Sequence, residues 1–393
     1  MKLTYKNTLT SCFIGYIVQA INANFLPLLL ITFQNTYHIP LSQITILITA
    51  NFVVQLLVDI SGALFVDKIG YRPCVVAAHV FSAAGILMLT FLPEVMPPFA
   101  GLLISVMTYA VGGGLIEVLI SPITESCPTD NKEAAMSLLH SFYCWGSVAV
   151  VLLSTVFFAI FGIQNWRICA IAWSLIPIVN GFLFTKVPMA PLISEGEQGM
   201  TMGQLFRSRV FWVLLLMMLC AGASELAIGQ WASAFAEKGL GISKAAGDLA
   251  GPMSFAVLMG VVRVFYGKFG HKLNLDTFIG LSAGVCMIAY LLIVLVPDPV
   301  IGLIGCGLCG IGVSILWPGI LSKASCTLRN GGTTMFALLA VAGDLGCSSG
   351  PLLVGLVSNT AGGNLRAGIL AALIFPVLLI VGLLMNRNKK SVV

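Results

Sequence analysis

The chain has 393 residues, of which 58% are hydrophobic and only 9% charged, and its mean hydropathy is +1.01. A soluble domain carries about 25% charged residues, so no water-facing surface can be built from this chain. The net charge of +5 would suit an acidic partner such as nucleic acid only if it were clustered. The basic residues instead sit in short loops between apolar runs, the pattern of a polytopic membrane protein.

The start of the chain, Met1 to Thr10, carries Lys2 and Lys6 and runs into a full-length apolar segment. No small-residue cleavage site follows a short apolar region, so an uncleaved first helix is expected, not a signal peptide. Runs of about 20 apolar residues cross a bilayer. Runs between charged or turn-rich breaks predict twelve spans, near 9–32, 42–66, 73–93, 98–125, 133–161, 166–187, 209–236, 244–267, 274–296, 299–322, 332–360 and 364–386. The longest connection lies between Val187 and Arg209. It predicts six spans in residues 1–187, a cytoplasmic linker over 188–208 and six spans in 209–393.

Placing both termini in the cytoplasm puts fifteen Lys or Arg residues inside and four outside (Arg167, Lys238, Lys244 and Arg366). Arg263 falls within a span. That bias predicts a multi-pass cell-membrane protein with both ends inside. The eleven cysteines lie almost all in apolar runs, the CxxC-spaced Cys306 and Cys309 included. Cysteine there acts as a small hydrophobe, so neither a disulfide framework nor a metal site is expected, and no cofactor is implied.

The halves repeat at an offset of 200 residues. Asp67-Lys-Ile-Gly-Tyr-Arg72 lies over Gly267-Lys-Phe-Gly-His-Lys272, and Ser137-Leu-Leu-His140 over Ala337-Leu-Leu-Ala340. Transporters are commonly built from such repeats. Twelve spans in a six-plus-six repeat, with a basic Gly-containing turn after span 2, resemble the major facilitator superfamily. The superfamily's loop motif reads here Ala63-Leu-Phe-Val-Asp67-Lys68-Ile-Gly70-Tyr71-Arg72, with the Asp, first basic residue, Gly and last basic residue matching. Glu117-Val-Leu-Ile-Ser-Pro122 and Ser137-Leu-Leu-His140-Ser-Phe-Tyr-Cys-Trp-Gly146 are similar to the fourth- and fifth-helix patterns of the fucose:proton symporter branch. Two departures stand out. Ser121 replaces an Asn, and Asn22-Ala-Asn24 stands in helix 1 where that branch places an Asp. The resemblance implies an all-α fold of two pseudo-symmetric six-helix bundles and a monomer working by alternating access.

Ionisable side chains inside a span are costly and are candidates for function by default. Glu117 sits beside Gly112-Gly-Gly114, where a helix or ligand can come close. It can serve proton coupling and solute binding, or make a structural hydrogen bond, with His140 as one partner at hand. His140 shares a helical stripe with Ser137, Cys144 and Ser147, and can act as a relay or as a packing donor. Asp344 lies near mid-span, with Arg263 as the natural counter-charge in its half. Either a static pair or one broken by protonation fits. Glu225 is a further buried acid, followed by Gln230-Trp231, an amide and a ring suited to gripping a hydroxylated solute. Asn22, Asn24, Gln55, Trp145 and Trp317 fit the same role. Asp67, Lys68 and Arg72, with Arg263 deeper in, are candidates for gating.

Together these features point to a secondary transporter of a small polar organic solute, a sugar above all, driven by proton symport. The alternative is a proton-antiport exporter of amphipathic compounds, for which 15 Met and 23 Phe could line an apolar cavity. An enzyme or nucleotide-driven pump is excluded by the lack of a phosphate loop, of a long soluble loop and of a metal-ligand cluster.

Overall fold

A computed structural model of the chain describes residues 3–190, 199–229, 251, 253–296 and 298–386. Among them the fold is all-α. Ten helices are long and apolar enough to cross a bilayer, and an eleventh apolar stretch, Ile46–Gly62, lies inside the helix Leu41–Ile69. With Ser254–Phe269 these make twelve spans in two six-helix sets. Only helices with their backbone bonds satisfied internally can occupy hydrocarbon.

The helices are α1 (Tyr5–Asn24), α2 (Leu30–Tyr37), α3 (Leu41–Ile69), α4 (Tyr71–Val95), α5 (Pro98–Ser126), α6 (Lys132–Phe161), α7 (Trp166–Lys186), α8 (Met202–Arg207) and α9 (Arg209–Gly229). They continue with α10 (Ser254–Phe269), α11 (Leu275–Leu295), α12 (Pro299–Val313), α13 (Leu316–Thr327), α14 (Gly332–Thr360), α15 (Leu365–Ala372) and α16 (Ile374–Asn386). Span 1 is broken at Pro27, where the 3-10 turn Leu26–Leu29 joins α1 to α2. Span 10 is broken between α12 and α13. The 200-residue repeat survives in the helix ends: α3 stops at Ile69 and α10 at Phe269, while α6 begins at Lys132 and α14 at Gly332. The matched glycines do not share a conformation. Gly70 ends α3 at φ 96°, where a side chain would be strained, whereas Gly270 opens a 3-10 turn at φ −56°.

By packing, the chain forms two compact units, Met1–Thr129 with Phe142–Glu197, and Asp130–Ser141 with Gln198–Val393. The early turns of α6 therefore count with the second unit, although they precede the expected linker. In the first unit α5 packs against α4, α3 and α1, and α4 also packs on α7. In the second, α9 packs along α14 and α11 along α12. Both long contacts depend on small residues, which let backbones approach where no hydrophobic effect drives helices together. A Cβ on Gly85 of α4 would lie 2.4 Å from the Tyr109 nitrogen of α5, and one on Gly346 of α14 2.0 Å from the Leu219 carbonyl of α9. Buried Trp166, Phe33 and Leu89 fill the first unit's core towards the Asn24–Tyr37 end.

Because the atoms met at Gly346 belong to backbone, the α9–α14 contact cannot yield by a side-chain rotation. We expect Gly346→Leu to destabilise the fold by about 1–3 kcal/mol or more through overpacking, read as a lowered melting temperature in detergent. Gly284, with open space around its Cβ position, should tolerate Ala with little change.

Candidate functional site

The sequence Gly112-Gly113-Gly114 gives α5 three glycines that face three different neighbours. Cβ atoms there would meet Ser82 Oγ of α4 at 2.3 Å, Gln19 Oε1 of α1 at 3.1 Å and Val58 of α3 at 2.8 Å, respectively. This bare stretch lets α1, α3 and α4 close around α5, one turn before Glu117. There Gln19 Nε2 donates to Glu117 Oε2 at 2.9 Å, and Gln55 Nε2 donates to the same oxygen at 3.2 Å. Glu117 is half-buried, and Gln19 is 4% exposed. Bonds to a charged acceptor are the stronger kind, so two amides from two other helices fix this carboxylate. Within its own unit Glu117 thus accepts from two glutamines, Gln19 at the shorter distance.

Beside this pair Asn22 Nδ2 donates to Ser82 Oγ at 3.0 Å. Gln19 Oε1 and Asn22 Oδ1 are buried acceptors without a hydrogen-bond partner among the described residues. Buried polar atoms are nearly always bonded, so each such atom calls for an explanation. Asn24 is differently employed: its Nδ2 donates to the Ala20 carbonyl at 2.9 Å and to Ser147 Oγ at 3.1 Å, tying α1 to α6. Gln19 gave no signal of its own in the sequence, being one amide in an amphipathic-looking first span; its position three residues before Asn22, on the same helix face, was the available clue.

The second unit holds a separate polar centre on Arg263, which is 3% exposed. Its origin is local. Pro318 has no N–H, so the carbonyl of Ser314, four residues earlier, lacks its helical donor, and α12 ends there. Arg263 Nε donates to that carbonyl at 2.7 Å. Its Nη1 donates to the His140 carbonyl at 3.1 Å, and its Nη2 lies 3.5 Å from Glu225 Oε2. Ser137 Oγ returns a bond to the Arg263 carbonyl at 2.9 Å. Arg263 was expected to serve Asp344; the carboxylate it holds here is Glu225. Arg263 is thus one buried cation joining α6, α9, α10 and the broken span 10. Asp344 is half-buried on α14, where its carbonyl accepts from Ser348 Oγ at 3.1 Å.

The other candidates fall in several places. The stripe on α6 is divided, with Ser137 and His140 in the second unit and Cys144 and Ser147 in the first. Trp145 is half-buried; Trp317 lays its ring against Gly343, where a Cβ would lie 2.2 Å away. Gln230 and Trp231 lie outside the described residues. Asp67 and Lys68 are exposed at the end of α3. Arg72, expected with them as a gating residue, spends its fork within its own unit: it donates to the carbonyls of Phe184, Thr185 and Val187 at 2.8–2.9 Å. These are the last, otherwise unpaired carbonyls of α7. One buried histidine was not singled out from the sequence. His79 accepts from Asn180 Nδ2 through Nε2 at 2.8 Å and so donates from Nδ1 to the Val75 carbonyl at 2.7 Å, binding α4 to α7. Arg72→Lys keeps the charge but not the fork. We expect it to lower stability by about 1–3 kcal/mol, with Arg72→Ala lower still, in thermal unfolding of the purified protein.

The sequence matches the family model of the Major Facilitator Superfamily over residues 12–351. No curated protein sequence matches it significantly. Among solved structures it is similar to the E. coli fucose:proton symporter FucP, with a TM-score of 0.82 at 16% identity, over 98% of this chain and 100% of that one. The proton:xylose symporter XylE gives 0.78 at 12% identity, over 97% and 94%. The human organic anion transporter MFSD10 gives 0.72 at 14% identity, over 97% and 99%. Identities this low speak for the fold, and the family match covers most of the chain. The chain belongs to the major facilitator superfamily and is a multi-pass membrane transporter, not an enzyme.

Proposed function

We propose that this chain is a secondary active transporter of a small polar organic solute of the sugar class, working by alternating access with proton symport. The observation that carries the reading is the Glu117 centre. A carboxylate is held in a membrane span by two neutral amides, and buried carbonyl oxygens of Gln19 and Asn22 stand beside it with no hydrogen-bond partner among the described residues. A hydroxyl-rich solute supplies the hydrogens such acceptors lack, and a carboxyl held by neutral amides can exchange its charge for a proton. An exporter of amphipathic compounds would want an apolar wall where these amides stand.

In this reading Asn22, Asn24, Glu117, His140, Trp145, Gln230, Trp231 and Trp317 contribute to solute binding, and Glu117, Glu225 and Asp344 handle the proton. Asp67, Lys68, Arg72 and Arg263 serve gating, Arg72 by holding the end of α7 rigid. The termini lie in the cytoplasm and the working unit is one chain in the bilayer. FucP and XylE, by their descriptions symporters of a sugar with a proton, support the solute class and the coupling ion.

The test is uptake into proteoliposomes under an imposed pH gradient, with a panel of neutral sugars. Wild type should accumulate at least one sugar when the outside is acidic, and Glu117→Gln should lower that accumulation roughly tenfold or more, the equivalent of 1.4 kcal/mol. Uptake that ignores the gradient and is unchanged in Glu117→Gln rejects the reading. Arg263→Leu leaves the Ser314 carbonyl and Glu225 without their cation, and breaking a buried pair from one side costs about 3–5 kcal/mol; it should abolish both folding yield and uptake, whereas Glu225→Gln should fold.

A further inference from the structure

The two glutamines on Glu117 do more than hold it. An ionised carboxylate can only accept hydrogen bonds. Gln19 and Gln55 must then turn their NH2 groups towards it, and they do, at 2.9 and 3.2 Å on the single oxygen Oε2. Each amide is a rigid plane, so pointing the nitrogen at Glu117 points the carbonyl the other way. A Cβ on Gly113 would stand 3.1 Å from Gln19 Oε1 and 3.6 Å from Gln55 Oε1, so both carbonyls turn towards this one glycine. Gly113 puts no side chain between them, and Asn22 Nδ2 lies on the same side, 3.7 Å from that point. The Gln19 carbonyl is buried and has no hydrogen-bond partner among the described residues, which marks it as an acceptor open to a donor.

We propose that Gln19 and Gln55 are positioning residues that convert the charge on Glu117 into the hydrogen-bond polarity of the solute site. This deepens the symport reading and rests on it for the solute, though not for the switch itself. When a proton binds Glu117 Oε2, that oxygen carries one O–H and must donate to a carbonyl. One of the two amides turns half a turn about its terminal bond, accepts the O–H, and presents NH2 where its carbonyl stood. The other amide still donates to the same oxygen. No bond other than O–H forms, and the proton comes from the aqueous side that has access. The site by Gly113 thus offers two acceptors when Glu117 is charged, and one donor with one acceptor when it is neutral. A hydroxyl group of a solute distinguishes those patterns, so proton and solute binding become coupled without any movement of helices.

Within the first unit, the described titratable groups on the helices packed around Glu117 include the following. From α1, the Tyr16 hydroxyl bonds Ser121 Oγ at 3.1 Å; from α4, His79 bonds Val75 and Asn180. Arg72 is taken by the end of α7. From α3, Asp59 lies one turn past Gln55 towards Asp67, and on α5 itself Glu125 lies two turns past Glu117. Both are included as controls for that reason.

The experiment is infrared difference spectroscopy of the purified full chain, with the glutamine side chains carbon-13 labelled, titrated from about pH 4 to about pH 10, which brackets a carboxyl shifted by several units. A protonated-carboxyl band should appear on acidification, vanish in Glu117→Gln and persist in Asp59→Asn and Glu125→Gln. A glutamine amide band should shift along the same titration. In the volume-matched Gln19→Met with Gln55→Met the amide shift should be lost while the carboxyl band stays. If the double variant does not fold, Gln55→Met alone, at a half-buried side chain, should lose part of the shift. The proposal is overturned if the Glu117 band titrates with a silent glutamine band, if the glutamine shift survives in Glu117→Gln, or if Glu117 never titrates. Gradient-driven sugar uptake with a silent glutamine band leaves the symport reading standing and removes the switch. A coupled glutamine shift without gradient-driven uptake does the reverse.

Discussion

A polar group inside a bilayer has no water to turn to, so its partner must come from the protein. Much of the polar detail of this chain follows from that constraint. Pro318 withholds a donor from the Ser314 carbonyl, and Arg263 supplies one. Helix α7 ends with bare carbonyls, and Arg72 covers three residues' worth of them. His79 and Asn180 satisfy each other between α4 and α7. Glu117 accepts from two amides, where Glu225 stands beside a guanidinium. That difference matters. A guanidinium beside a carboxylate fixes its charge, whereas an amide, able to donate from one end and accept at the other, suits either protonation state.

The repeat carries the backbone and not the chemistry. Two hundred residues on from Glu117 stands Trp317, packed on Gly343; two hundred before Arg263 stands Ala63. Helix ends keep the offset, as at Ile69 and Phe269, because span length is set by bilayer thickness and is the same problem in both halves. Buried charges are not bound by that problem. Each half has kept one polar centre of its own, an acid among amides in the first and a cation among carbonyls in the second.

What was legible in the sequence follows the same division. Span number, the six-plus-six order and the repeat depend on hydropathy and on turn residues, which are written locally. Glu117 and Arg263 were legible as charges where charge is costly. Their pairings were not. Gln19 and Gln55 are 98 and 62 residues from Glu117, and an amide in an apolar run does not stand out as a carboxylate does. Glu225 was visible as a buried acid, yet its pairing with Arg263 depended on a break in span 10 that only the i to i+4 relation of Ser314 to Pro318 foreshadowed. Arg72 looked like its neighbours Asp67 and Lys68 in a basic turn; direction alone separates a side chain that lies under a helix end from two that face outward.

The Arg263 centre also limits what Glu225 can do. Its guanidinium already covers two backbone carbonyls, the Ser314 one at 2.7 Å and the His140 one at 3.1 Å, while the Glu225 oxygen lies at 3.5 Å. The carbonyl bonds are the shorter, and they hold the cation in place whichever state Glu225 adopts. Neutralising Glu225 removes the longest of the three contacts and leaves a cation still bonded. Removing the Arg263 side chain strands two carbonyls and an acid at once, while the Ser137 bond, made to the Arg263 backbone, stays. The cation is thus the fixed member of this centre and the acid the variable one, which is the asymmetry a proton-handling pair needs. In the first unit the fixed members are amides and the variable one is again the acid.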